Sequence, residues 1–209
     1  MMDTDVLLRH GGPALIVLIG LSILAWGVVL ERAGYWLARW MWRDRRGLLA
    51  ALDLIQGRRL EAAARRLEHL RRIPVARVLR EGVRHAGPGV AGHLEAAALR
   101  EHRAMRNHTG ILDTVTAAAP LVGILGTVIG IIRSFHAFGG AGGGVPPPHQ
   151  VIGGVSEALI TTGAGLVVAL VALVSAALAR GLADRGAAEL EQYVTAVESV
   201  LAKGKAHAD

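Results

Sequence analysis

Polar side chains are scarce in the apolar stretches of this 209-residue chain, and those present follow a pattern. Asp113, Thr116, Pro120, Gly123, Thr127, Gly130 and Ser134 are spaced by alternating threes and fours, which puts them on one helix face. The opposite positions are Val, Leu and Ile. A second stretch repeats the arrangement with Gly154, Ala158, Thr162, Gly165, Ala169, Ala172, Ala176 and Ala179. Small residues on one face let helix backbones approach closely, and the seven-residue period predicts a left-handed bundle. Pro120, Gly123, Gly130 and Gly165 read as packing positions. The hydroxyls of Thr127 and Thr162 have two readings that the pattern leaves open: each can bond a carbonyl of the preceding turn, or face a polar cavity. An ionisable group inside an apolar stretch is costly at mid-bilayer and less so near an end. Glu157 is therefore either a carboxylate solvated near the membrane surface or part of an ion pathway or subunit contact. It lies about 140° around the helix from Thr162 and shares a face with Thr161 instead. Asp113, near the other end of its stretch, reads as solvated.

Other chemistries find no residues. There is no Cys, hence no disulfide, thiolate ligand or cysteine nucleophile. The nine His show no paired ligand spacing, so no metal site is expected. Gly139 to Gly144 (GGAGGG) lacks the following Lys and Ser or Thr of a phosphate-binding loop. No nucleophile–base constellation is present, so neither a cofactor nor an enzymatic activity is expected.

The elements that position the stripes are membrane spans. About 20 residues from Gly11 to Leu30 carry no charge, enough to cross about 30 Å of hydrocarbon. Trp26, Tyr35, Trp36, Trp40 and Trp42 form an aromatic belt at the span's exit. A cleaved signal peptide fits poorly, because the run is long and ends without a small-x-small site. Of 23 basic residues, 17 are arginines between Glu31 and Gly110, interleaved with eight acids. A net charge of +6 so distributed marks the cytoplasmic side of a membrane rather than a nucleic-acid surface. The expected organisation is an outer N-terminus (1–10), a first span (11–30) and a helical cytoplasmic segment (31–110). A second span (111–135), an outer Gly/Pro loop (136–150), a third span (151–179) and a cytoplasmic C-terminal helix (180–209) follow.

Within the cytoplasmic segment, Leu48, Leu49, Leu52 and Ile55 make one helical face, broken by Gly57. Leu60, Ala63, Leu67 and Leu70 make another. Pro74 starts a third helix with Val75, Val78, Leu79 and Val83, stopped by Gly87-Pro88-Gly89. From about Val90 the pattern runs without a breaker into the second span. Leu190, Val194, Val197 and Leu201 continue a helical face after the third.

The segment LDTVTAAAPLVGILGTVIGIIRSF (Leu112 to Phe135) resembles the second-span signature of the MotA/TolQ/ExbB proton-channel family, in which an AP step precedes GLLGTV. GVSEALITTGAGLVVALVA (Gly154 to Ala172) is similar to the third-span signature, and IPVARVLREGV (Ile73 to Val83) to a feature of the cytoplasmic segment. Three spans and a large cytoplasmic segment match the ExbB/TolQ branch better than the four-span MotA type. Val171, Ala176 and Ala177 depart from the pattern, which commonly has Pro, an aromatic and Asn there.

The resemblance implies a pentamer around a dimer of an ExbD/TolR-like protein, whose single span carries a proton-exchanging Asp. Thr127 and Thr162 would then line the pocket for that Asp, with Glu157 and Thr161 nearby on the pathway. The expectation is an all-α polytopic inner-membrane protein: a subunit of a proton-motive-force-driven energy-transducing motor. The alternative is a non-conducting scaffold whose stripes serve packing alone. A solute transporter is disfavoured by the absence of a second repeat or a broken helix.

Overall fold

The computed structural model describes residues 12–41, 44–139 and 148–202. They form seven helices with no strand among them: α1 (Gly12–Met41), α2 (Arg45–Gln56), α3 (Leu60–His69), α4 (Pro74–Arg84), α5 (Val90–Met105), α6 (Thr109–Gly139) and α7 (Pro148–Ala202). The chain is therefore all-α, with three helices long and apolar enough to cross a membrane, lying within Pro13–Met41, Val90–His136 and Gly153–Ala202. The N-terminus through Gly11, Trp42 with Arg43, residues 140–147 and Lys203 onward lie outside the described residues.

Two compact units are present. The first comprises residues up to Glu31 together with His108–Leu178. Its core is thin: Leu18, Ala25 and Val28 of α1, Leu112, Val115 and Ala119 of α6, and Ala169, Ala172 and Ala176 of α7. Between 22% and 28% of the most apolar window of each candidate span is buried, so most of its apolar surface must meet something other than this chain's own core. Ile16, Ile23, Leu121, Leu125, Leu166 and Leu170 point outward. Such a surface is untenable in water but suited to lipid and to neighbouring helices.

The second unit, Arg32–Asn107 with Ala179 onward, has the denser core, built from α2 to α5 and the flanking ends of α1 and α7. Asp44 caps α2, its Oδ1 accepting from the Gly47 amide at 2.9 Å. The inward face is Leu48, Ala51, Leu52 and Ile55. Leu49 is 55% exposed, since its position turns it away from the axis that the other leucines share. Ala63, Leu67 and Leu70 bury the next face and Leu60 sits at its edge. Pro74 opens α4, where its missing amide costs no helical bond, and Val75, Val78, Leu79 and Val83 are buried. Gly87 (φ 138°) and Gly89 (φ 88°) then make the turn into α5 with left-handed backbone that other residues resist. The Gly87 amide donates to the Leu201 carbonyl at 3.0 Å, and Leu190, Val197 and Leu201 of α7 complete the core. Arg77 forks onto Glu101, tying α4 to α5, with Nε to Oε1 at 2.6 Å.

Two boundaries differ from the sequence reading. The helix from Val90 is not continuous into α6: it stops at Met105, and Arg106–His108 form a turn with His108 at φ 61°. His tolerates the left-handed region better than most residues, and no Gly or Pro marks the break. The helices also reach into the Gly/Pro segment, since α6 continues to Gly139 and α7 begins at Pro148, whose fixed φ suits a first helical position.

Candidate functional site: the seam between α6 and α7

Small residues bring α6 and α7 into backbone contact at three levels. A Cβ added to Gly165 would lie 2.6 Å from the Ala119 carbonyl oxygen and 3.2 Å from the Gly123 Cα. One added to Gly123 would lie 3.1 Å from the Thr162 Cα and from the Thr161 carbonyl oxygen. At Gly130 it would lie 3.1 Å from both the Ala158 Cβ and the Gly154 carbonyl oxygen. Numbers rise along one helix as they fall along the other, so the pair is antiparallel. Only Gly leaves room for this approach.

The hydroxyls sit on and beside that seam. Thr162 Oγ1 donates across it to the Gly123 carbonyl at 3.1 Å, a bond between helices. Thr127, one turn beyond Gly123, donates to its own helix at the Ile124 carbonyl, 2.6 Å away. Both residues are half-buried. Thr161, next to Thr162, differs in setting: it is 1% exposed and bonded to the Ala158 carbonyl at 2.8 Å. Its side chain packs against Gly126, which also faces Ala14 of α1. Thr161 is thus a packing residue where three helices meet, while Thr162 faces the edge of the seam. Pro120 is half-buried one turn before Gly123. Glu157 belongs to α7, but its side chain lies outside the described residues.

The face of α6 that packs within the chain is Leu112, Val115, Ala119, Gly123, Gly126, Gly130 and Ser134. It coincides with the polar stripe at Gly123, Gly130 and Ser134 and elsewhere falls one residue earlier. Thr116, Pro120 and Thr127 are consequently left half-buried along the margin, and Asp113 is exposed. Sequence spacing missed Ala119 and Gly126, because two faces of small residues overlap on this helix. The signal that could have found them is the 119, 123, 126, 130 repeat, spaced as well as the one chosen.

The histidines are not all scattered. The turn at Gly87-Pro88-Gly89 brings Glu81, His85 and His93 together, with one donor atom from each within 4.8 Å of the others. Glu81 and His85 have the i, i+4 spacing that two ligands on one helix face would use. However, the two imidazoles stack at 4.1 Å with their planes 7° apart. An ion in the plane of one ring would lie out of the plane of the other, so the arrangement is a ring stack rather than a coordination set.

Residues 71–192 match the family model of the MotA/TolQ/ExbB proton channel family. The chain is 37% identical over 171 residues to the ExbB-like biopolymer transport protein 1 of Synechocystis, covering 78% of this chain and 65% of that one. It is 31% identical over 193 residues to the ExbB-like protein 3 of the same organism, covering 91% of each. The Tol-Pal system protein TolQ of Haemophilus influenzae is 34% identical over 87 residues, 42% of this chain and 37% of that protein. This chain thus spans about two thirds of the first relative and nearly all of the second. The matched residues include the whole α6–α7 seam, and three apolar helices agree with a multi-pass inner-membrane protein of a proton channel family. With its seam of glycines, its two marginal threonines and these matches, the chain belongs to the MotA/TolQ/ExbB proton channel family, in the ExbB/TolQ-like branch.

Proposed function

We propose that this chain is the channel-forming subunit of a motor driven by the proton-motive force. It assembles as a homo-oligomer, a pentamer by family analogy, around an ExbD/TolR-like partner with a single Asp-bearing span. The N-terminus faces the periplasm and the arginine-rich second unit faces the cytoplasm, as the excess of basic residues there favours.

The observation that carries this reading is the placement of Thr127 and Thr162. Each hydroxyl has its proton committed to a nearby carbonyl, which leaves its oxygen lone pairs free to accept. A protonated partner Asp can donate to such an oxygen. Once the Asp ionises, the hydroxyl can rotate and donate to the carboxylate instead. A Thr therefore serves both protonation states within an otherwise apolar wall, where an unmatched carboxylate would be costly. Glu157, one turn before Thr161 on α7, belongs to the proposed pathway, and the burial of Thr161 suits it to holding α6 in place beside that pathway.

Thr127→Val and Thr162→Val test the reading, since Val keeps the shape and removes the hydroxyl. Proton uptake is measured in vesicles containing this chain and its single-span partner. The expected result is loss of partner-dependent uptake in either variant, with assembly retained. Uptake surviving both changes refutes the hydroxyl role and favours a non-conducting scaffold.

A further inference from the structure

We propose that the groove beside the last turns of α1 binds the headgroup of an anionic phospholipid. The groove lies wholly within the second unit, between the end of α1, α2, the start of α4 and the adjoining turns of α7, and has a volume of about 700 Å³. Four guanidinium groups line it, from Arg39, Arg45, Arg72 and Arg185, against two carboxylates, Asp44 and Glu189. Both carboxylates are already engaged. Asp44 caps α2, and Glu189 lies 3.6 Å from Arg39. Arg45 and Arg185 are exposed and have no ion pair or hydrogen bond among the described residues.

Two further donors belong to residues that line the groove. The indole Nε1 of Trp36 and one terminal nitrogen (Nη1) of Arg39 are buried without a hydrogen-bond partner. Leaving a buried donor unpaired costs about 1–3 kcal/mol, so a native structure supplies an acceptor. Phosphate oxygens are acceptors that also answer the surplus positive charge.

Location and size distinguish a lipid from a free anion. Trp36, Arg39 and Trp40 belong to the last turns of the candidate span Pro13–Met41, where Trp and Arg mark the membrane interface. Basic pockets there attract anionic headgroups. The groove is more than tenfold larger than the roughly 30 Å³ share of a water molecule, and its wall also carries Leu48, Leu49, Ile73 and Leu182. Those apolar residues suit the glycerol backbone and first methylenes of a lipid, which inorganic phosphate lacks. The site does not depend on proton conduction.

The test uses the purified full chain in neutral detergent, with short-chain phosphatidylglycerol as probe and phosphatidylcholine, glycerol 3-phosphate and inorganic phosphate as comparators. Binding is read from saturable thermal stabilisation and from lipid retained in native mass spectrometry. Phosphatidylglycerol should saturate one site per chain, and each comparator should bind at least tenfold more weakly. The double variant Arg45→Gln/Arg185→Gln should weaken phosphatidylglycerol at least tenfold. Asp44→Asn provides an independent arm, because Asn caps a helix as well as Asp does while removing a negative charge from the groove. It should tighten phosphatidylglycerol severalfold. Equal binding of phosphatidylcholine, or affinities unchanged in either variant, overturns the headgroup site. Inorganic phosphate binding as tightly as the lipid overturns the lipid assignment.

Discussion

Gly163 and Gly165 lie two residues apart on α7, yet replacing each with Ala should have opposite effects on stability. At Gly163 a Cβ meets nothing within 4 Å, whereas at Gly165 it meets the Ala119 carbonyl oxygen at 2.6 Å and the Gly123 Cα at 3.2 Å. Both obstacles are backbone atoms, so no rotamer change relieves the contact, and α6 must move away from α7. Forcing one methyl into a packed interface costs about 1–3 kcal/mol. Both substitutions gain about 0.8–1.0 kcal/mol of helix propensity. Gly163→Ala should therefore stabilise by about 1 kcal/mol and Gly165→Ala destabilise by a similar amount. The separation of about 2 kcal/mol corresponds to roughly 4–8 °C between midpoints for a chain of this size. Thermal unfolding of both variants in the same detergent measures it. Displacing α6 should also lengthen the Thr162–Gly123 bond, so Gly165→Ala should reduce partner-dependent proton uptake. If the two variants melt within 1 °C of each other, the close α6–α7 approach is wrong and so is the position assigned to Thr162.

Gly82→Ala should be close to neutral, because an over-packing cost of about 1 kcal/mol is offset by a similar gain in helix propensity. Its Cβ meets Leu94 Cδ2 at 2.6 Å and Leu201 Cδ1 at 3.0 Å, and these are side-chain ends that can rotate. Chemical denaturation should show a smaller loss than for Gly165→Ala. Glu101→Gln should destabilise the second unit by about 1–2 kcal/mol, less than for a fully buried pair because Arg77 is partly exposed. Hydrogen bonding to Glu101 holds the Arg77 guanidinium above its ordinary pKa, against the opposing effect of burial. A raised basic group stabilises fully below its unfolded pKa and loses that contribution only as pH climbs through the folded value. As far as Arg77 is concerned, the gap between wild type and Glu101→Gln should therefore stay constant through the neutral range; a gap that narrows between neutral and mildly alkaline pH would contradict this origin.

Much of the fold could be read from the sequence because its punctuation is local. Pro74 opens α4, Gly87 and Gly89 close the turn after it, and apolar spacing alone selects Val75, Val78, Leu79 and Val83 as core. The break at Arg106–His108 could not be read, since no breaker residue marks it. The stripe on α6 shows a different limit. Periodicity reports that a face differs from its surroundings but not what that face touches, and α6 has two adjacent faces with separate tasks. Ala119, Gly123, Gly126 and Gly130 admit the backbone of α7 and the side chain of Thr161. Thr116, Pro120 and Thr127, one position later, are only half-buried and remain available at the margin. If packing alone shaped this helix, nothing would require hydroxyls on the second face, where Val or Ala would fit equally well. A packing role predicts that Thr127→Val is silent. An acceptor role predicts lost proton uptake with unchanged stability, because Thr127 makes no bond across the seam that could be broken. Thr162, which does make one, should lose both uptake and about 0.6 kcal/mol of stability. The contrast between these two threonines separates the channel reading from the scaffold reading more sharply than either substitution alone.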